Sequence, residues 1–492
     1  MAEKVYLAID LGASSGRVVA GRLRSDRIDL EEIYRFPNGP VRIGTRLHWD
    51  LPGLWLHVQQ GLRAANAKFG NQIVSLGVDT WGVDYGLLGP DDELLGNPYH
   101  YRDARTGGMF ERAFALVPRE KVFAETGLQF MELNTLYQLL AARLSRSPLL
   151  EAAESMLLMP DLFHWLLTGR KTNERTNVST TQLYNPHTRD WSHALIDGFD
   201  LPARLFGDIA EPGTRLGMLL PGIAADTGLA HVEVVLPASH DTASAVVAVP
   251  AKTQASAAPD WCYISSGTWA LMGIEAPMPV INDEVARWNF TNEAGVAGTT
   301  RLLKNIAGLW LVQECRRVWQ QQGRDFGWDE LAHLAAEAPP LVSVVNPDDP
   351  RLATPTDMPQ AIAALCRETG QPVPQSPGAT LRCALESIAA RSRQVLASLE
   401  TLNGRTIETI HMVGGGTQNE LLCQLTADAC ERPVVAGPVE ATALGNILVQ
   451  AWAMGEVSGL SEARQLVRQS FELKTYEPRS DERWASVDQS TE

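Results

Sequence analysis

Short apolar runs alternate with longer stretches of helical period along this chain, and the alternation predicts an α/β fold. Val5–Asp10 and Val74–Asp79 read as buried strands, each ending on an aspartate. Leu381, Leu385, Ile388, Val395, Leu399 and Leu402 repeat at a helical period. Ile407–Val413 reads as a strand that runs into Gly414-Gly415-Gly416. Asn419–Cys430 then reads as a helix, and Leu444, Ile447, Leu448, Ala451 and Trp452 mark another. A weak internal echo is present. Leu7–Arg17 and Tyr263–Ile274 each read as strand, polar glycine turn and strand, with Ser14-Ser15-Gly16 and Ser265-Ser266-Gly267 at the turns.

The length of 492 residues predicts two domains. The boundary falls in the small, polar, proline-flanked stretch Val249–Pro259, giving domains of 1–248 and 260–460 and a peripheral segment of 461–492. The proline-rich stretch Ala338–Gln360 reads as a surface excursion. The formal net charge of −16 argues against nucleic acid or an anionic membrane as partner. Six cysteines without C-x-x-C spacing argue against a zinc site and read as reduced thiols. The start of the chain has neither the basic end nor the apolar stretch of a signal peptide, and no apolar run suffices to span a membrane, so the cytoplasm is the expected compartment.

Five segments carry candidate chemistry. In Asp10–Arg17, a tight glycine turn lines up backbone N–H groups for an anion, Ser14 and Ser15 add hydroxyls, and Arg17 adds charge. Asp10 could orient magnesium through water. The bland alternative is a polar hairpin turn. Gly12–Gly16 also matches the G-x-S-x-G elbow of serine hydrolases, but that elbow leads from a strand into a helix, whereas Val18–Leu23 reads as a strand. Gly77–Gly86 crowds Asp79, Asp84, Trp81 and Tyr85 among three glycines, fitting a sugar site with Trp81 as its flat face, or else a buried strand pair with a core tryptophan. Ser239-His240-Asp241-Thr242 follows an apolar strand. Asp241 there could accept a hydroxyl proton or simply cap the next helix. Lys304-Asn305 and Gln313 read, on their own, as solvated polar groups. Val413–Asn419 joins strand, glycine turn and helix start, a nucleotide site or a plain turn. Neither a Walker P-loop nor a Rossmann glycine fingerprint is present, so ATP would need a different fold.

Taken in order, IDLGASSGRV (9–18), GVDTWGVDYGLL (77–88), YRDART (101–106), NTLYQL (134–139), LLMPD (157–161), SHDTASAV (239–246), YISSGTWALMG (263–273), LKNIAGLWLVQ (303–313) and VGGGTQN (413–419) resemble the FGGY carbohydrate kinases over nearly the whole chain. The resemblance implies a two-domain actin-like (ribonuclease H-like) ATPase fold with a cleft between domains. It implies phosphorylation of a ketose at O1 by ATP and Mg2+. The expected sugar is L-rhamnulose, with L-fuculose or a xylulose as the alternative within the class and a non-sugar actin-like ATPase as the alternative outside it. Ala13, Ser14, Ser15, Gly16 and Arg17 would then meet the ATP phosphates, with Asp10 near the magnesium. Gly82, Trp81, His240, Asp241, Thr242 and Asn305 would meet the sugar, with Asp241 as proton acceptor. Thr268, Gln313 and Gly415 would meet the nucleotide. A monomer or small homo-oligomer is expected. One departure from the family pattern is Ala294, where glycine is common.

Overall fold

The computed structural model describes residues 4–24, 26–253 and 258–487, so residues 254–257 of the expected inter-domain stretch lie outside the described residues. The chain divides into two compact units. The first comprises Met1–Ala255, Ala276–Leu302 and Ala441–Ser470; the second comprises Ser256–Glu275, Leu303–Glu440 and Phe471–Glu492.

The first unit is built on a six-stranded sheet. Its strands are β1 (Lys4–Leu11), β2 (Ser15–Leu23), β3 (Ile28–Pro37), β4 (Ile73–Thr80), β5 (Arg215–Met218) and β6 (Glu233–Val235), in the order β5-β6-β4-β1-β2-β3. β1 is buried from Val5 to Leu11, as its unbroken apolar run requires of a central strand. It pairs antiparallel with β2 and parallel with β4. The register sets Asp10 opposite Arg17 on one side and Asp79 on the other. Both aspartates seen at strand ends in the sequence therefore stand at one end of the sheet.

Helix Leu51–Phe69 packs on this sheet. Asp50 caps it by accepting the Gly53 N–H at 3.1 Å, and its buried Leu51, Leu54, Val58, Gly61, Leu62, Ala65 and Phe69 follow the helical period. Helix Ala441–Ala453 comes from far along the chain yet belongs to this unit. It sends Gln450 Nε2 to the Leu7 carbonyl (2.9 Å) and Asn446 Nδ2 to the Gly77 carbonyl (3.2 Å). Helix Leu460–Ser470, expected at the periphery, buries Ala463, Arg464, Leu466 and Val467 and also belongs to the first unit.

The second unit repeats the central arrangement. β7 (Trp261–Ser266) pairs antiparallel with β8 (Trp269–Ala276) and parallel with β9 (Thr409–Val413). β9 continues parallel to β10 (Val434–Ala436), which is edged by antiparallel β11 (Lys474–Tyr476). The echo between the two hairpins is thus an echo of topology: each is a central strand, a tight turn and an antiparallel return. Helix Pro377–Asn403 is fixed at its start by Ser376 and Pro377 and at its end by Gly404 in the left-handed conformation (φ 67°). The segment read as a surface excursion is partly core, because Val344, Val345, Leu352 and Met358 are buried among Leu381, Leu385 and Ile388. Prolines there break helix formation without keeping the flanking apolar side chains in solvent. Among the described residues, no helix is long and apolar enough to cross a membrane.

Candidate active site

Three carboxylates gather at the end of the first unit's sheet. Asp10 receives Arg17 Nε (2.9 Å) and Nη2 (2.7 Å) on one oxygen, a side-on guanidinium pair across the β1–β2 hairpin. Asp79, one strand over, is fully buried and accepts Asn446 Nδ2 at 2.6 Å, while its Oδ1 has no hydrogen-bond partner among the described residues. Burial first, then the charge of Asp10, hold the Asp79 carboxyl well above the usual carboxylate range; Asn446 opposes the shift and Asp241 adds to it. Asp241 is raised too, by burial first; His240 pulls it down and Asp10 pushes it up.

The oxygens of Asp10 and Asp241 are of the hard kind that a divalent cation such as magnesium takes. Among the described residues, no group of three or more His, Cys, Asp or Glu could hold a metal by itself.

The turn before Arg17 is closed by Gly12 N–H on the Ser15 carbonyl (3.0 Å). It is tied down by Asn38, whose Nδ2 bonds the Gly12 carbonyl (2.7 Å). Gly16 is dictated by packing, since a Cβ there would lie 2.3 Å from the Phe36 ring. Ser14 is exposed at the tip, Ala13 and Ser15 are half-buried, and β2 begins at Ser15. A strand, not a helix, follows the serine, so the hydrolase elbow is absent.

Asp241 opens helix Asp241–Val247 immediately after a bridge between Thr80 and His240, in which Thr80 N–H bonds the Ser239 carbonyl (2.9 Å). The Ser239–Thr242 segment and the Trp81–Gly82 turn are thereby neighbours. Glu174 sets the position of the segment. This buried carboxylate accepts Ser239 N–H (2.9 Å), Ser239 Oγ (2.7 Å), Thr176 N–H (2.8 Å) and Thr176 Oγ1 (2.5 Å). Gly82 admits no side chain, because a Cβ would lie 2.9 Å from Thr180.

The two aspartates of the tryptophan turn have different tasks. Asp84 Oδ2 accepts Trp49 Nε1 (2.6 Å), Trp81 Nε1 (3.0 Å) and Tyr101 N–H (3.1 Å), and Oδ1 accepts Gln138 Nε2 (2.8 Å). Its lone pairs are consumed inside the protein, and burial raises its pKa to about 6 against those hydrogen bonds. Trp81 packs against Trp49 at a tilt of 31°, with ring centroids 3.9 Å apart, and is 6% exposed, so most of its ring is core. Ala294 lies in strand Thr291–Ala294 without a left-handed φ, so alanine fits where glycine is common.

In the second unit, the Gly267 N–H closes the β7–β8 turn on the Trp269 carbonyl (2.8 Å). Thr268 Oγ1 faces Gln313 Oε1 at 3.3 Å, and the Thr268 carbonyl takes the Trp310 N–H (3.0 Å) at the start of helix Trp310–Gln321. Gly308 must be glycine, since a Cβ would meet the Trp269 carbonyl carbon at 2.5 Å. The glycine triplet lies against the same turn: Gly414 has φ 89°, a Cβ on Gly416 would fall 1.9 Å from Ser266 Oγ, and Gly415 has open space beside it. Thr268, Gln313 and Gly415 are thus assembled in one neighbourhood. Asn305 lies half-buried in strand Thr300–Ala307.

The residues that sequence reading missed are Glu174, Glu293, Arg301, Asn446 and Gln450. Two carried a signal: Asn446 and Gln450 are paired amides four apart on an otherwise apolar helix.

The family models decide the class. The N-terminal domain model of the FGGY family of carbohydrate kinases matches residues 5–248, and the C-terminal domain model matches 262–454. The chain belongs to the FGGY family of carbohydrate kinases. It is an ATP-dependent sugar kinase. It is 46% identical to a rhamnulokinase of Bacteroides thetaiotaomicron, over 97% of each chain. It is 41% identical to a rhamnulokinase of Oceanobacillus iheyensis, over 96% of this chain and 98% of the other. The crystal structure of a ligand-bound xylulose kinase from Lactobacillus acidophilus has the same two-domain fold, with a TM-score of 0.78 at 17% identity over 99% of this chain and 96% of that one.

Proposed function

We propose that this kinase transfers the γ-phosphoryl group of ATP to O1 of L-rhamnulose, giving L-rhamnulose 1-phosphate and ADP in L-rhamnose catabolism. The observation that carries the substrate is the 46% identity to a named rhamnulokinase across nearly the whole of both chains. In this reading residues 1–248 hold the sugar, the phosphate turn and the base, residues 260–460 hold the nucleotide, and 461–492 is accessory. The enzyme works in the cytoplasm as a monomer or small homo-oligomer.

Asp241 accepts the proton of the sugar hydroxyl, with Gly82, His240, Thr242, Asn305 and Trp81 around the ketose. Ala13–Arg17, Thr268, Gln313 and Gly415 hold ATP. Asp10 orients magnesium through water, and the ion when bound neutralises charge on the phosphates. A carboxylate is a weak base for an alcohol, but phosphoryl transfer runs through a loose transition state in which the nucleophile's proton leaves late. The raised pKa of Asp241 makes it a better acceptor than an ordinary aspartate. ADP release measured on L-rhamnulose, L-fuculose and D-xylulose tests the substrate. A clear preference for L-rhamnulose in kcat/KM is expected, and equal rates on the three would remove the substrate assignment.

A further inference from the structure

His240 is held at both ring nitrogens. Arg301 is fully buried. It directs Nη2 at His240 Nδ1 (3.2 Å) and at Glu293 Oε2 (3.0 Å), and its Nε at the Ala294 carbonyl (3.1 Å). Glu293 Oε2 also stands 3.3 Å from Nδ1, and His240 Nε2 stands 3.4 Å from Asp241 Oδ1. Nδ1 faces a donor in Arg301 and an acceptor in Glu293 and can serve either, whereas Nε2 faces only the Asp241 carboxylate, which favours hydrogen on Nε2. A doubly protonated ring bonded to Glu293 keeps that Nε2–H as well. Only the neutral Nδ1–H form would set a lone pair against the Asp241 carboxylate, at the cost of placing its N–H between Glu293 and Arg301.

The consequence falls on Asp241. Its Oδ1 already takes the Thr242 N–H (2.5 Å) and Thr242 Oγ1 (3.1 Å), and His240 Nε2 approaches the same oxygen at 3.4 Å. Its Oδ2 accepts no hydrogen bond among the described residues, and the side chain remains 32% exposed. A buried ion pair is a poor stability device, and this one leaves Arg301 Nη1 without a partner among the described residues. Its use is orientation. Glu293 is pulled below its ordinary range even though burial opposes this, because Arg301 and His240 outweigh the burial.

We propose that Glu293 and Arg301 are positioning residues for phosphoryl transfer: they fix His240 as an Nε2–H donor to Asp241 Oδ1, so that Oδ2 alone faces the sugar hydroxyl. This rests on Asp241 being the proton acceptor. The test uses the full-length protein and the double variant Arg301→Met with Glu293→Gln, which removes both charges at similar volume and strands neither. Nitrogen-15 spectra of labelled histidine, with His240→Asn to assign the signal, read the tautomer. The wild type is expected to carry hydrogen on Nε2. The double variant is expected to show mixed tautomers and a kcat about 10- to 100-fold lower, with the KM for ATP within about twofold of wild type. An Nδ1–H ring in the wild type would overturn the proposal whether or not the variant folds, and so would wild-type kcat in a folded double variant. Normal turnover by Asp241→Asn would instead overturn the acceptor reading, and the wild-type spectrum would still decide the clamp.

Discussion

At the scale of single residues, aspartates of two motifs are separated by what they touch. Asp241 has an oxygen to spare and Asp84 has none. Asp241→Asn should therefore lower kcat by about 10²–10⁴, the usual worth of a general base, while ATP still binds. Steady-state kinetics and nucleotide titration check this. Because burial raises the Asp241 pKa, its basic form disappears as pH falls through a value above the ordinary ~3.9. The acid limb of kcat/KM should lie correspondingly high in the wild type. Asp84 makes a different prediction. Its folded-state pKa of about 6 exceeds its unfolded value, so the stability it contributes is complete below ~3.9 and is lost as pH rises through 6. Wild type should lose ground to Asp84→Asn between pH 4 and 7, by at most about 3 kcal/mol. Denaturant unfolding at the two pH values measures the difference, and a pH-independent difference would contradict the assignment.

At the scale of elements, turns and glycines carry the positioning. Gly416 lies on Ser266, so Gly416→Ala should push the glycine triplet off the β7–β8 turn. If that neighbourhood holds the nucleotide, the variant should raise the KM for ATP about tenfold or more and leave the ketose KM nearly unchanged. An unchanged ATP KM would remove the triplet from the site. The same elements show what the sequence made legible. Strand–turn–strand and strand–glycine–helix patterns are local, and their period and punctuation forecast both hairpins, the triplet and the helix that Asp241 opens. Glu174 and Arg301 escaped because a lone charged residue has no local pattern. Each acquires its role only when a remote segment arrives: Ser239 for Glu174, 65 positions away, and His240 for Arg301, 61 positions away. Trp81 was legible as important but divided between two uses, and burial of all but 6% of it reflects the Trp49 contact that spacing alone could not foresee.

At the scale of the whole molecule, the chain order and the packing order differ. The first unit is assembled from three stretches, and the last of them supplies helix Ala441–Ala453. From that helix Gln450 accepts Ser75 Oγ (2.7 Å) and bonds the β1 carbonyl of Leu7, Asn446 holds Asp79, and Gly445 lies so close to Ser244 that a Cβ would fall 1.8 Å from its carbonyl oxygen. A fragment ending at residue 253 lacks all of these. Its central strands would keep one face uncovered, and Asp79 would lose Asn446. Each lost hydrogen bond costs about 0.5–1.5 kcal/mol, and several together are a sizeable share of the 5–15 kcal/mol that holds a domain together, before the lost apolar cover is added. The fragment 1–253 should therefore show no cooperative thermal transition, whereas the same fragment fused through a flexible linker to residues 276–302 and 441–470 should recover one. Calorimetry on the two proteins separates the outcomes. A cooperative melt of the short fragment would mean that the family's N-terminal half is a self-sufficient domain and that the late helix is only a lid on it.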